Sequence, residues 1–166
     1  TGAIQNEGIV ERIEKARALG LPVVADSKAL THPQFENARV RTPLLLRTEA
    51  GNAAISQEWF GPIAFVVATD STTHSIQLAR DSVIKHGALS LSAYTTNDAV
   101  ADQVQDAAEV SGVSLSLNLT GGVFVNQTAA FSDFHGTGAN PAANAALSDS
   151  AFVSNRFRVV QTRRHV

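Results

Sequence analysis

The chain has 166 residues, which suits one domain with a single core, and its 44% hydrophobic and 17% charged residues are the balance of an ordinary folded globular protein. A net charge of −2, with one local basic cluster at Arg156, Arg158, Arg163, Arg164 and His165, excludes a general nucleic-acid surface. The absence of cysteine removes disulfides, thiolate metal sites and a cysteine nucleophile from this segment. No run of about 18 apolar residues offers a membrane span, and no signal-peptide pattern opens the chain. With no methionine either, the chain reads as a piece of something longer that begins arbitrarily at Thr1.

Ile9, Ile13, Ala16 and Leu19 recur at helical spacing between about Gln5 and Leu19, with Gly20 as a C-cap and Pro22 as a block. Val23–Ala25 is a short strand. Asp26 to Ala38 shows no period and reads as irregular. Thr42–Thr48 is a second strand, with Pro43 near its start, where a missing N–H is tolerated. Then comes Gln57-Glu58-Trp59-Phe60-Gly61-Pro62, a polar turn with a stiff corner, opening the apolar strand Ile63–Ala68. Asp70-Ser71-Thr72 offers caps for a helix whose stripe is Ile76, Ala79 and Val83 and which Gly87 ends. Leu89–Tyr94 is a strand. Thr96-Asn97-Asp98 caps a helix with Val100, Val104, Ala107 and Ala108 on its apolar face, ended by Gly112, and Val113–Leu117 is another strand.

Strands alternating with helices of this length imply βαβ crossovers: an α/β fold with a mostly parallel sheet and helices on both faces. Ligands on such sheets sit beyond the carboxyl ends of the strands. Residues 1–150 read as this domain. Residues 151–166, with Phe157, Val159 and Val160 among arginines, read as a β-prone arm with an exposed edge that another chain would cover. Near the end of the first segment, Ala139–Leu147 reads as partly helical despite Pro141.

Residue by residue, the chemistry is thin. Glu58 can accept hydrogen bonds from two vicinal hydroxyls, as a ribose presents them, but a solvated turn acid is the default for an exposed carboxylate. Phe60 suits the core as well as a stacking surface. Gly136-Thr137-Gly138 lacks the Lys-Ser/Thr of a phosphate loop, and Gly121-Gly122 suits a hairpin turn. The five histidines, His32, His74, His86, His135 and His165, show no metal spacing. His135 sits in a Gly-rich stretch with Asp133 beside it, open to a general-base role or to loop packing. The serines nearby lack a nucleophile elbow.

Together the pieces resemble the second half of the catalytic domain of the aldehyde dehydrogenase superfamily. Glu58-Trp59-Phe60-Gly61-Pro62 matches the family's Glu-x-Phe-Gly-Pro, which opens a buried strand. The family's subsequent helix, Tyr-Gly-Leu-like link, strand, helix and segment ending in Asn correspond to Ile76–Lys85, His86–Leu89, Leu91–Tyr94, Asn97–Val110 and Val113–Asn118. Asn118-Leu119-Thr120-Gly121-Gly122 looks like the Asn-x-x-Thr-Gly of the proline-catabolic branch with one residue fewer before the Thr, and His135-Gly136-Thr137-Gly138 is similar to its Ser-Gly-Thr-Gly. Phe131-Ser132-Asp133-Phe134 departs from the usual Pro-Phe-Gly-Gly. The loop Gln127–Phe134 and the tail Arg156–Val166 resemble the bacterial phenylacetate-degradation branch, which acts after ring opening of an aromatic coenzyme A thioester.

The resemblance implies a fragment of a cytoplasmic, NAD- or NADP-dependent enzyme that oxidises an aldehyde, such as a CoA-thioester semialdehyde, through a cysteine thiohemiacetal. It implies that the cysteine and a general-base glutamate precede Thr1. Glu58 and Phe60 would hold the nicotinamide-ribose end of the cofactor. Phe131, Phe134 and His135 would line the aldehyde entrance. The arm would pair with a neighbouring subunit in a dimer or tetramer. The competing reading is a non-catalytic α/β module for nucleotide or thioester binding or for assembly, which the missing cysteine favours.

Overall fold

Apolar residues three and four apart set the first helix, α1 (Glu7–Arg17), in the computed structural model, which describes residues 4, 6–122, 124 and 160–163. Asn6 caps it, its Oδ1 accepting the Ile9 N–H at 3.2 Å. Glu7 in the first turn and Lys15 and Arg17 in the last complement the helix dipole. Ile13 and Ala16 are fully buried against Leu44 and Leu46 of β4 (Leu44–Glu49). Burial of a side chain such as Ile13 or Leu46 stabilises by about 1.5–3 kcal/mol.

This helix and strand belong to the first of two units into which the chain divides, Thr1–Asp70 and Ser71–Val166. In the first unit β4 is central: β1 (Val23–Ala25) flanks it antiparallel and β5 (Ile63–Ala68) parallel, in register from Leu44↔Ile63 to Glu49↔Ala68. β2 (Ala29–Leu30) and β3 (Val40–Arg41) form a separate antiparallel ribbon.

One expectation changes here. The stretch from Asp26 to Ala38 is not wholly irregular, because a two-residue strand is too short to show a period. In this unit β4–β5 is the parallel pair, and β1–β4 and β2–β3 are antiparallel. The chain between β1 and β4 forms the β2–β3 ribbon and no crossover helix. The parallel pair β4–β5 is joined by a 3-10 turn, η1 (Ala53–Ser56), and not by an α-helix.

The second unit contains a helical crossover in its expected form. β6 (Ser90–Ala93), α3 (Asp98–Ser111) and β7 (Ser114–Leu117) make a βαβ unit with parallel register Ser90↔Ser114 to Ala93↔Leu117. Before it runs α2 (Thr72–His86), capped by Ser71, whose Oγ accepts the His74 N–H at 3.1 Å. Asn97 caps α3, and Gly112 ends it in the left-handed conformation at φ 66°, a C-cap that glycine adopts without steric cost. Val104, Ala108, Val113, Leu115 and Leu117 form the core, with Ile76 and Val83 of α2 packed on it.

β8 (Val160–Thr162) adds to this sheet, parallel to β7 from Leu115↔Val160 to Leu117↔Thr162. These three residues of the β-prone tail are thus strand, paired with β7 of the same chain. The division at residues 150 and 151 and the helix expected over Ala139–Leu147 lie outside the described residues. Among the described residues no helix is long and apolar enough to cross a membrane, and no cluster of His, Cys, Asp and Glu could hold a metal ion.

Candidate functional site

The turn before β5 is held by its backbone and by one inward-facing side chain. Asn52 caps η1, its Oδ1 accepting the Ala54 N–H at 2.9 Å. The Trp59 indole N–H then donates back to the Ala54 carbonyl at 2.9 Å, and its ring meets Phe65 with centroids 5.9 Å apart. Trp59 packs against the α1–β4 core. Beyond it the Leu44 N–H bonds the Pro62 carbonyl at 2.8 Å, and the Ile63 N–H bonds the Gly61 carbonyl at 2.8 Å. The turn is thereby fixed to the start of both parallel strands.

Gly61 is required on two counts. Its φ is +151°, a backbone that side chains rarely adopt, and a Cβ there would stand 3.1 Å from Ile9 Cγ2 on α1.

With Trp59 turned inward, its neighbours Glu58 and Phe60 are exposed, Phe60 to 67%. The Glu58 carboxylate makes no ion pair or hydrogen bond among the described residues, so both oxygens remain to accept from hydroxyls. An acceptor-only group and an exposed aromatic ring therefore stand together on one held turn. The neighbouring depression of about 340 Å³, lined by Gln57, Trp59, Phe65 and Val67 among others, includes neither Glu58 nor Phe60.

The turn lies at the amino end of β5, not beyond the carboxyl ends where ligands of parallel sheets are expected. A carboxyl-end corner does exist in the second unit. Asn118 follows β7 in a left-handed conformation, φ 58°. Its Oδ1 accepts the Thr95 N–H at 2.8 Å and its Nδ2 donates to the Thr95 carbonyl at 2.9 Å, while its own N–H bonds the Ala93 carbonyl at 2.8 Å. Its side-chain oxygen and nitrogen and its N–H thus join the ends of β6 and β7. After buried Leu119, Thr120 receives the Arg163 guanidinium through its carbonyl at 2.7 Å and its hydroxyl at 3.1 Å.

Phe131, Phe134 and His135 lie outside the described residues, as do Asp133 and the Gly136-Thr137-Gly138 stretch. Sequence reasoning missed Trp59 as the anchor. Its signal was available: an indole between two polar-turn residues must send its N–H to a partner when it packs inward.

The sequence profile of the aldehyde dehydrogenase family matches residues 2–139. The chain belongs to that family. The crystal structure of an NAD-dependent aldehyde dehydrogenase from Burkholderia multivorans is similar, with 62% identity and a TM-score of 0.74 over 99% of this chain. This chain spans 30% of the length of that aldehyde dehydrogenase. No curated protein matches.

Proposed function

We propose that this chain supplies the nicotinamide-ribose end of the coenzyme site in an NAD-dependent enzyme that oxidises an aldehyde to an acid. The uncovered Glu58–Phe60 pair on its fixed turn carries the reading. NAD, when bound, takes up the hydride that leaves the substrate carbon. Glu58 accepts hydrogen bonds from the ribose hydroxyls, and Phe60 packs beside the ring, holding it within the near-contact distance that the transfer requires. The cysteine that forms the thiohemiacetal and the glutamate that activates water lie in sequence outside these 166 residues. The similar Burkholderia multivorans enzyme is NAD-dependent, which supports NAD over NADP.

The finer reading rests on the sequence motifs. Phe131, Phe134 and His135 line the aldehyde entrance. The substrate is a CoA-thioester semialdehyde of the bacterial phenylacetate ring-opening route, in the cytoplasm. Residues 1–150 serve catalysis, and residues 151–166 serve assembly into a dimer or tetramer.

The deciding experiment is Glu58→Gln in the full-length enzyme, read by single-turnover hydride transfer and by NAD titration. We expect the transfer to slow by about tenfold, the loss of one charge-assisted hydrogen bond of about 1.5 kcal/mol. Unchanged transfer and unchanged NAD affinity would remove Glu58 from the site. The isolated 166-residue chain should reduce no NAD with any aldehyde, and measurable turnover would overturn the assignment of the nucleophile to sequence outside it.

A further inference from the structure

α1 touches the Glu58 turn at two places one helical turn apart. Ile9 lies against Gly61 so closely that a Cβ at residue 61 would sit 3.1 Å from its Cγ2. Arg12, three residues on, holds its guanidinium carbon 5.9 Å from the centroid of the Phe60 ring. That distance is within the range of cation–π attraction, about 6 Å. The other described α1 arginine is engaged by acids: Arg17 pairs with Glu14 and with Asp26. Arg39 likewise pairs with Glu7 at the start of α1. Arg12 has no carboxylate partner among the described residues and is only half-buried. Its Nη1 donates to the Gly8 carbonyl at 3.3 Å, which steadies the side chain along the helix and leaves the guanidinium plane for the aromatic ring.

From these contacts we propose that Arg12 is a positioning residue for the coenzyme. It holds the Phe60 ring in the orientation that presents one face to the nicotinamide-ribose end, and it acts through Phe60 alone. This rests on the reading of the turn given above. A ring 67% exposed has little packing of its own to fix its rotamer, so a single cation can decide its orientation.

A double-mutant cycle in the full-length enzyme tests it, with Arg12→Gln, Phe60→Leu and the pair compared by calorimetric titration of NAD. Arg12→Gln should weaken binding about two- to fivefold while Phe60 is present, the range of an exposed cation–π contact. It should change nothing once Phe60 is leucine. Arg12→Lys should recover part of the affinity, because an ammonium is still drawn to the ring but lacks the stacking plane. An equal loss in both backgrounds, or no loss in either, overturns the proposal. Should Arg12→Gln fail to fold, the cycle is run with Arg12→Lys, and the same dependence on Phe60 decides it. Glu58→Gln separates the two readings. If it weakens NAD binding and Arg12→Gln does not, only the role of Arg12 falls. If neither does, the reading of the turn falls as well.

Discussion

Glu58 and Asn118 both stand beside a parallel strand, one before β5 and the other after β7, and both were singled out by sequence motif. They use their polar atoms in opposite ways. Asn118 commits its side-chain oxygen and nitrogen to Thr95 and its N–H to Ala93. Glu58 commits nothing among the described residues and leaves the holding of its turn to Trp59, Gly61 and Pro62. A polar residue that spends its hydrogen bonds on the backbone is an architectural part. One whose neighbours do that work is available to a ligand. The comparison shows why a motif residue must be judged by its partners as well as by its type.

The largest effects should come from the cores that carry each region. Leu46→Ala and Leu115→Ala remove side chains with no exposed surface, and each should cost about 3 kcal/mol in denaturant unfolding. Hydrogen exchange should locate the loss at β4 and β5 for the first and at β6 and β7 for the second. Next, Gly61→Ala should cost about 2 kcal/mol through its positive φ and the clash with Ile9, and should weaken NAD binding in the full-length enzyme. A variant that keeps both stability and affinity would show that the turn is not rigidly held. Asn118→Ala should cost about 2 kcal/mol for two lost hydrogen bonds and a strained φ, with no effect on NAD affinity. Asn118→Gly should recover the conformational part only. Altered coenzyme binding in either variant would erase the contrast between the two positions.

The smallest effect concerns pH. The Arg17 guanidinium hydrogen-bonds Asp26 and holds its carboxyl below the ordinary range. A depressed carboxyl contributes stability above its unfolded pKa, and the contribution is lost as pH falls through the folded value. The loss therefore begins near pH 4 and continues below it. Asp26 is exposed and Arg17 only half-buried, so solvent screens the pair and the effect is slight. Asp26→Asn should flatten that part of the stability–pH curve and leave neutral pH almost unchanged.

Much of this fold was legible from local chemistry. Ser71 and Asn97 start helices where a side-chain oxygen meets an open N–H, and Gly87 and Gly112 end them. The apolar runs of β5 and β7 announced themselves. What the sequence withheld was relational. Nothing local tells that β1 runs against β4 while β5 runs with it, because strand direction depends on the path of the connection. β2 and β3, two residues each, have no period to read. Glu58 was legible only through its motif, and its availability depends on an indole that bonds five residues back. Arg12 was out of reach altogether, since a helix facing a turn 48 positions later leaves no mark in either segment.

The parallel placement of β8 on β7 has a consequence in time. β6, α3 and β7 follow one another directly, so their contacts close short loops and can form as soon as that stretch is synthesised. β8 must find its place across the residues from 118 to 159, and Arg163 fastens to Thr120 only then. At synthesis rates of about 5–20 residues per second, the outer edge of β7 is uncovered for some seconds. During that interval its unpaired N–H and C=O groups are open to another strand, and pulse-labelled hydrogen exchange should find its amides among the last in the sheet to gain protection.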